Sequence, residues 1–284
     1  MTTHLSSGLA EVFGFPVGNR SDAAQESRKR HWCPFTDTYC SKQSRLLDFP
    51  FGVCSVQHGG DVCAICPKRF EERSALSGAP RVLEELAQQY FGDTSNIVAF
   101  PEVGLPNVGT IDYVLVQHAP MKPTITDFVM VEFQTDSTTG TGAIVRALRD
   151  FMKGRDLDQQ GYRFGMNTYD TIKRFVTQLL NKGIVYEAWG VKCFWVIEEY
   201  IYANLVRRYG MRNDGYAPGD ASRFALYSMD LSGGTFLLTR SRYVSITVDA
   251  MYEAMRTNPG LPDKDRFIQG LNNKLRAQLG LRFS

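Results

Sequence analysis

Apolar positions along the chain change period several times, and each change predicts an element. Residues 80–92 place Val82, Leu83, Leu86 and Tyr90 along one face between a leading Pro80 and a trailing Gly92, which predicts a helix. Three β-rich runs bounded by Gly and Pro follow at 96–100, 109–116 and 126–134. A helix is expected near 141–153. Another is expected over 168–182, where Ile172, Phe175, Val176, Leu179 and Leu180 repeat at helical spacing and Gly183 reads as the stop. The run 190–197 reads as a buried strand, with Cys193 in it as a small hydrophobe, and 198–209 as a helix. Two further β-like runs at 223–230 and 235–246 precede helices at about 247–257 and 263–279. Residues 1–30 hold few periodic apolar positions and read as a loosely ordered arm. Helix, three strands, helix, strand describes a mixed α/β sheet with helices on its faces.

At 284 residues, with 43% hydrophobic and 22% charged positions, the composition is that of a globular chain of one large domain or two small ones. No run approaches the roughly 18 apolar residues of a membrane span. The first residues lack the basic and apolar regions of a secretion signal, so a cytoplasmic protein with no membrane partner is expected. The net charge of +2 hides an uneven distribution: +1 over residues 1–80, −4 over 81–199 and +5 over 200–284. Arg outnumbers Lys by 22 to 10. Arg presents a planar fork of donors suited to phosphate and guanine edges. Nucleic acid is therefore permitted as a partner without being required.

Five of the six cysteines, Cys33, Cys40, Cys54, Cys63 and Cys66, lie within one turn-rich stretch with few periodic apolar positions. Such clustering in a non-secreted chain points to a metal before it points to disulfides, because four thiolates satisfy one tetrahedral ion and can hold together a segment without a large core. Cys63-Ala-Ile-Cys66 has the common two-residue spacing, whereas the wider gaps match no common finger. One cysteine is surplus, and His31 or His58 could substitute as a ligand, with an ordinary turn or surface role as the alternative for each. Lys42, Arg45, Lys68, Arg69 and Arg73 would be displayed from the metal-held loop toward a DNA backbone.

In the strand 128–134, alternation sends Val129, Val131 and Phe133 to one face and Met130, Glu132 and Gln134 to the other. Asp112 interrupts the earlier apolar run, where a carboxylate is unfavourable unless paired, solvated or bound to a metal. If the two strands pair, Asp112 and Glu132 can share a divalent cation with oxygen ligands, as Mg²⁺ prefers, with the Phe133 carbonyl as a natural third ligand. Glu102 is a candidate extra ligand, with a turn role as its alternative. Glu84 and Glu85 read as a solvated helix face.

Asp112 followed by Glu132-Phe-Gln134 resembles the PD-(D/E)XK nuclease core with Gln where Lys is usual. Cys33-Pro-Phe, Cys40 with Lys42, Gly52-Val-Cys54-Ser and Cys66-Pro-Lys-Arg-Phe70 resemble the cysteine motif of NotI-like type II restriction endonucleases, which bear the same Glu-x-Gln variant. By motif the resemblance covers roughly residues 31–135. It implies a restriction-endonuclease-like α/β core over 76–284, carrying DNA-reading and dimerisation elements. It also implies a Cys-rich, DNA-contacting module over 1–75. The implied activity is Mg²⁺-dependent hydrolysis of both strands of double-stranded DNA at a palindromic site by a homodimer, leaving 5′-phosphate and 3′-hydroxyl ends. Asp112, Glu132 and Gln134 would be catalytic; Asp112 and Glu132, with Glu102 as the extra candidate, would bind Mg²⁺. Cys33, Cys40, Cys54 and Cys66 would bind iron or zinc. The two-residue spacing would instead retain Cys63.

A Lys at position 134 would set a positive charge beside the attacking water, whereas a neutral amide only orients and hydrogen-bonds. More of the charge stabilisation is then expected to fall on the metal. That substitution also sustains an alternative: a non-catalytic Cys₄ DNA-binding or regulatory protein with a degenerate nuclease-like sheet. A third reading keeps the core for junction resolution or repair nicking. For base contacts the chain offers Arg207, Arg208 and Arg212 at a helix end, and Arg240 and Arg242 on a Ser-Thr-rich strand or loop, where a strand would give the last two a shared face. No single one is favoured, and a GC-rich target would suit the Arg excess.

Overall fold

The computed structural model describes residues 7–75, 77–157, 161–211, 215–258, 260 and 262–282. The N-terminal part runs β1 (Ser7–Val12), β2 (Phe15–Pro16), α1 (Asp22–Arg30), β3 (Trp32–Cys33), β4 (Thr38–Tyr39), β5 (Val53–His58) and β6 (Asp61–Ala64), then a 3₁₀ turn, Pro67–Glu71. After it come α2 (Arg81–Phe91), β7 (Ile97–Leu105), β8 (Gly109–His118), β9 (Ile125–Gln134), β10 (Thr138–Thr139), α3 (Thr141–Met152) and β11 (Gly165–Met166). The remainder is α4 (Thr168–Trp189), β12 (Lys192–Glu198), α5 (Glu199–Tyr209), β13 (Ser222–Ser232), β14 (Thr235–Ile246), α6 (Val248–Arg256) and α7 (Lys264–Arg282). Among the described residues no helix is long and apolar enough to cross a membrane.

The central sheet has six strands in the order β14-β13-β12-β9-β8-β7. It is mixed: β12 lies parallel to both β9 and β13, and the other pairs are antiparallel. That central position, covered on both faces, explains why β12 reads as one unbroken apolar run, with Cys193, Phe194, Trp195, Val196 and Ile197 all fully buried. One face packs Met130, Cys193, Trp195 and Ile197 against Phe175 and Leu179 of α4 and Leu205 of α5. The other packs Val129, Val131, Phe194 and Val196 against Leu83 and Leu86 of α2. Strand alternation thus divides the two faces as the period of the sequence predicts.

Of the expected loose arm at 1–30, residues 7–30 are instead structured, and 1–6 lie outside the described residues. β1 joins a second sheet, ordered β2-β1-β5-β6, and α1 is capped by the Ser21 hydroxyl at its start and by left-handed His31 at its end. Leu9 and Val12, with Val53 and Val56 of the hairpin β5–β6, bury against Ile144 and Leu148 of α3. These strands are too short to establish a period of two, so their pattern is weak in the chain. His31 is occupied in stacking with Phe13 and Phe49.

α4 does not stop at Gly183 but continues to a left-handed cap at Gly190. A Cβ on Gly183 would come within 2.8 Å of the Val248 side chain, so this glycine serves the close approach of α4 and α6, not a helix end. Arg69, expected on the surface facing DNA, is fully buried between Glu11, Glu72 and the Phe236 carbonyl. A bulge at Ser241 sends Arg240 and Arg242 to opposite faces rather than to one, because Leu226 pairs with Arg242 while Tyr227 pairs with Arg240. Arg242 meets Glu199 of α5, and Arg240 meets Glu85 of α2. Glu85 is therefore engaged on its helix face, also accepting the Tyr227 hydroxyl.

Candidate active site and thiol cluster

The hairpin β8–β9 brings the acidic residues together. The register pairs Tyr113 with Val131, and one step further Asp112 stands opposite Glu132. On the other side of β8 the ladder steps from Pro101↔Tyr113 to Val103↔Ile111, leaving Glu102 of β7 opposite Asp112. Glu102 adopts the left-handed φ of 51° and is exposed to solvent. The three carboxylates thus occupy one row across three neighbouring strands, with Glu102 outside the pocket the other two line.

Asp112 accepts the Phe133 backbone N–H at 2.7 Å, so its side chain takes over a donor at the point where the ladder ends. Burial raises its pKa, opposed by that hydrogen bond and by Lys182, and Glu102 pushes it further up. Glu132 is 4% exposed. Burial pushes its pKa up to about 7; Lys182 pulls it down, and Asp112 raises it. Its Oε1 accepts the Lys182 ammonium at 2.6 Å and the Tyr186 hydroxyl at 3.3 Å. Lys182 also donates to the Thr110 carbonyl at 2.7 Å. Gln134, at the end of β9, donates its amide to the Thr135 carbonyl at 2.8 Å.

These side chains line a cavity of about 560 Å³, with Arg174 and Gln178 of α4 on one side and Lys42, Gln43 and Ser44 of the cysteine-rich segment on the other. Lys42 is anchored by a 2.7 Å bond to the Ile65 carbonyl and lies 5.0 Å from the centre of the Phe51 ring. Next to Gln134, Asp136 is buried and satisfied by the Tyr200 hydroxyl at 2.9 Å, the Thr168 hydroxyl and the Ser137 N–H. The pocket is therefore polar, walled by both parts of the chain, and supported by ordered hydrogen bonds.

Lys182 and Tyr186 were not singled out in the sequence, although the pattern carries a signal for them. Phe175, Leu179, Lys182 and Tyr186 continue one helical face, so a lysine lies on the buried stripe. Ending the helix at Gly183 hides it, because a lysine in a last turn needs no explanation beyond the helix dipole.

The thiols separate into two environments. Cys33, Cys40 and Cys54 cluster around Phe35. Burial raises the pKa of Cys40, Cys54 and Cys66, and the charges of Cys66 and Cys33 raise Cys40 and Cys54 further, as Cys33 does Cys66. Backbone N–H groups of Lys42, Gly14 and Lys68 point at the sulfurs of Cys40, Cys54 and Cys66 and favour their thiolates. Cys63 faces away, toward Glu198, Tyr200 and Asp136. Among the described residues, no three His, Cys, Asp or Glu side chains converge as a ready-made ion site. The donor chemistry nonetheless suits two kinds of ion: soft sulfurs backed by N–H donors in one place, and two hard carboxylates in a polar pocket in the other.

Of the arginines considered for base reading, Arg208 stacks on Tyr169 at 3.9 Å and Arg207 bonds Asn204. Arg212 lies outside the described residues. A family model described as restriction endonuclease NotI matches residues 12–214. No curated protein matches the chain.

Proposed function

The chain belongs to the NotI restriction endonuclease family, and from that premise we propose that it cuts both strands of double-stranded DNA at a palindromic site, as a homodimer that uses Mg²⁺. The observation carrying this reading is the meeting of Asp112 and Glu132 on paired strands within a polar cavity that Gln134 also lines. That arrangement suits a PD-(D/E)XK core spanning 76–284, with residues 1–75 as a metal-binding, DNA-contacting module.

Asp112, Glu132 and the Phe133 carbonyl would hold Mg²⁺, with Glu102 of the neighbouring strand as the candidate extra ligand. An ion held there would supply a water of lowered pKa and would offset charge on the phosphoryl oxygens. Gln134 orients the attacking water through its amide. Water adds to phosphorus, the bond from phosphorus to the 3′ oxygen breaks, and that oxygen takes up a proton, leaving 5′-phosphate and 3′-hydroxyl ends. Arg174 and Lys42 line the same cavity, where cations favour a DNA backbone. Purified protein incubated with mixed-sequence DNA and Mg²⁺ is expected to yield discrete fragments whose sequenced ends share one palindrome. Shifted but uncut DNA would instead support a binding protein without catalysis.

Cys33, Cys40, Cys54 and Cys66 would hold one iron or zinc ion, with Cys63 outside the set. The backbone N–H groups aimed at three of these sulfurs support this choice over the two-residue spacing. Cys54→Ser is expected to abolish bound metal, read by elemental analysis, and to lower the melting temperature. Cys63→Ser should leave metal content unchanged; loss of metal in that variant would return Cys63 to the set.

A further inference from the structure

We propose that Lys182 supplies, from α4, the positive charge that Gln134 cannot, and that it acts as a positioning residue through Glu132; this rests on the nuclease reading above. The geometry is specific. The Lys182 side chain is 7% exposed and its ammonium is held at both ends, by Glu132 Oε1 at 2.6 Å and the Thr110 carbonyl at 2.7 Å. Tyr186, one turn along the same helix face, donates to the same carboxylate oxygen. Both bonds fall on Oε1, so the rotamer of Glu132 is fixed from one side while Oε2 receives neither of them. Lys182 and Glu132 both line the cavity that holds Asp112 and Gln134.

Stability alone does not account for this lysine. A buried ion pair is often no better than well-packed apolar residues of the same volume, because desolvation offsets the attraction. The stripe Phe175, Leu179, Tyr186 would accept such a residue at 182. What the pair adds is charge where charge is needed. Two carboxylates and a phosphodiester meet in one partly desolvated pocket, and negative charge grows on the phosphoryl oxygens during attack. A lysine beside the proposed metal-binding carboxylate reduces that excess without occupying the position of Gln134, whose neutral amide, though it donates one N–H to the Thr135 carbonyl, keeps its oxygen and second N–H to orient water. The positive charge is thus relocated from a strand to the helix above it.

The test compares Lys182→Gln, which keeps a donor and loses the charge, with Lys182→Arg, which keeps the charge. Single-turnover cleavage of pre-bound DNA is measured at saturating Mg²⁺, alongside DNA binding in Ca²⁺ and thermal melting. Lys182→Gln is expected to cut about a hundredfold more slowly, the loss typical of one preorganised electrostatic group. Lys182→Arg should recover to within about tenfold of wild type, and both should bind DNA within about threefold of it. Cleavage at the wild-type rate in Lys182→Gln overturns the proposal. Parallel losses of melting temperature, binding and cleavage in both variants also overturn it, since they mark a purely structural pair. Wild-type protein that cuts no DNA refutes the nuclease reading itself, a result visible before any variant is made.

Discussion

Asp112→Asn and Glu132→Ala are each expected to lower DNA cleavage by at least about a thousandfold, since on the proposed reading each would remove a charged metal ligand at the reacting phosphate. Binding to DNA in Ca²⁺ should persist, because backbone contacts elsewhere carry most of the affinity. The two variants differ in what else they disturb. The Asn amide oxygen can still accept the Phe133 N–H, so Asp112→Asn should melt near wild type. Asp112→Ala would leave that donor unsatisfied, at about 1–3 kcal/mol. Glu132→Ala leaves Lys182 a buried cation without its partner, so some loss of stability is expected there. Asp112→Asn is the cleaner experiment: residual cutting within tenfold of wild type would remove Asp112 from the proposed metal site.

The largest effect on stability is expected at Arg69. Its side chain is completely buried, 3.1 Å from Glu11 on β1 and 2.8 Å from Glu72, bonded to the Phe236 carbonyl on β14, and stacked on Phe35. It therefore joins the N-terminal sheet, the cysteine-rich segment and the edge of the central sheet. Arg69→Ala should destabilise the protein by about 3–5 kcal/mol, because Glu11 is left as an uncompensated buried charge. That is a large share of the roughly 5–15 kcal/mol a typical fold possesses.

The loss should depend on pH. Burial already raises the Glu11 pKa, and Arg69 is the main influence holding it down. Without Arg69 the folded protein prefers a protonated Glu11 more strongly. A group with a raised folded pKa favours the fold below its unfolded value, and that advantage is lost as pH rises through the folded value. The deficit of Arg69→Ala should therefore be widest at neutral pH and shrink toward the ordinary glutamate value of about 4.3. Urea denaturation at several pH values measures it. Adding Glu11→Gln should restore part of the stability at pH 7, and an unchanged deficit in the double variant would show that the charge is not responsible.

Much of the architecture was legible because it rests on local period. Helix α2, strands β8 and β9, the apolar run of β12 and the final pair β13–β14 all follow from spacing that any window of the chain displays. The alternation that sends Glu132 and Gln134 to one face, away from Val131, is of the same kind. The failures share a cause. β1 and α1 read as an arm because a six-residue strand and a polar helix carry little periodic signal by themselves, and their partners lie in β5 and α3. Residue type places Arg69 at the surface, whereas its charge is met by Glu11, far away in sequence.

The order of residues by itself determined which side chains could carry chemistry: two carboxylates and an amide on neighbouring strands, and a cluster of thiols beside them. It did so because strand alternation and residue type are local properties. Tertiary structure alone decided which groups meet. Gly183 ends no helix because α6 packs against it, and the extra turns then set Tyr186 beside Glu132, on the stripe that carries Lys182. Cys63 parts from the other thiols because the hairpin β5–β6 turns it toward Tyr200 and Glu198. Register across strands and the length of a packed helix depend on residues distant in sequence, and no window of the chain contains them.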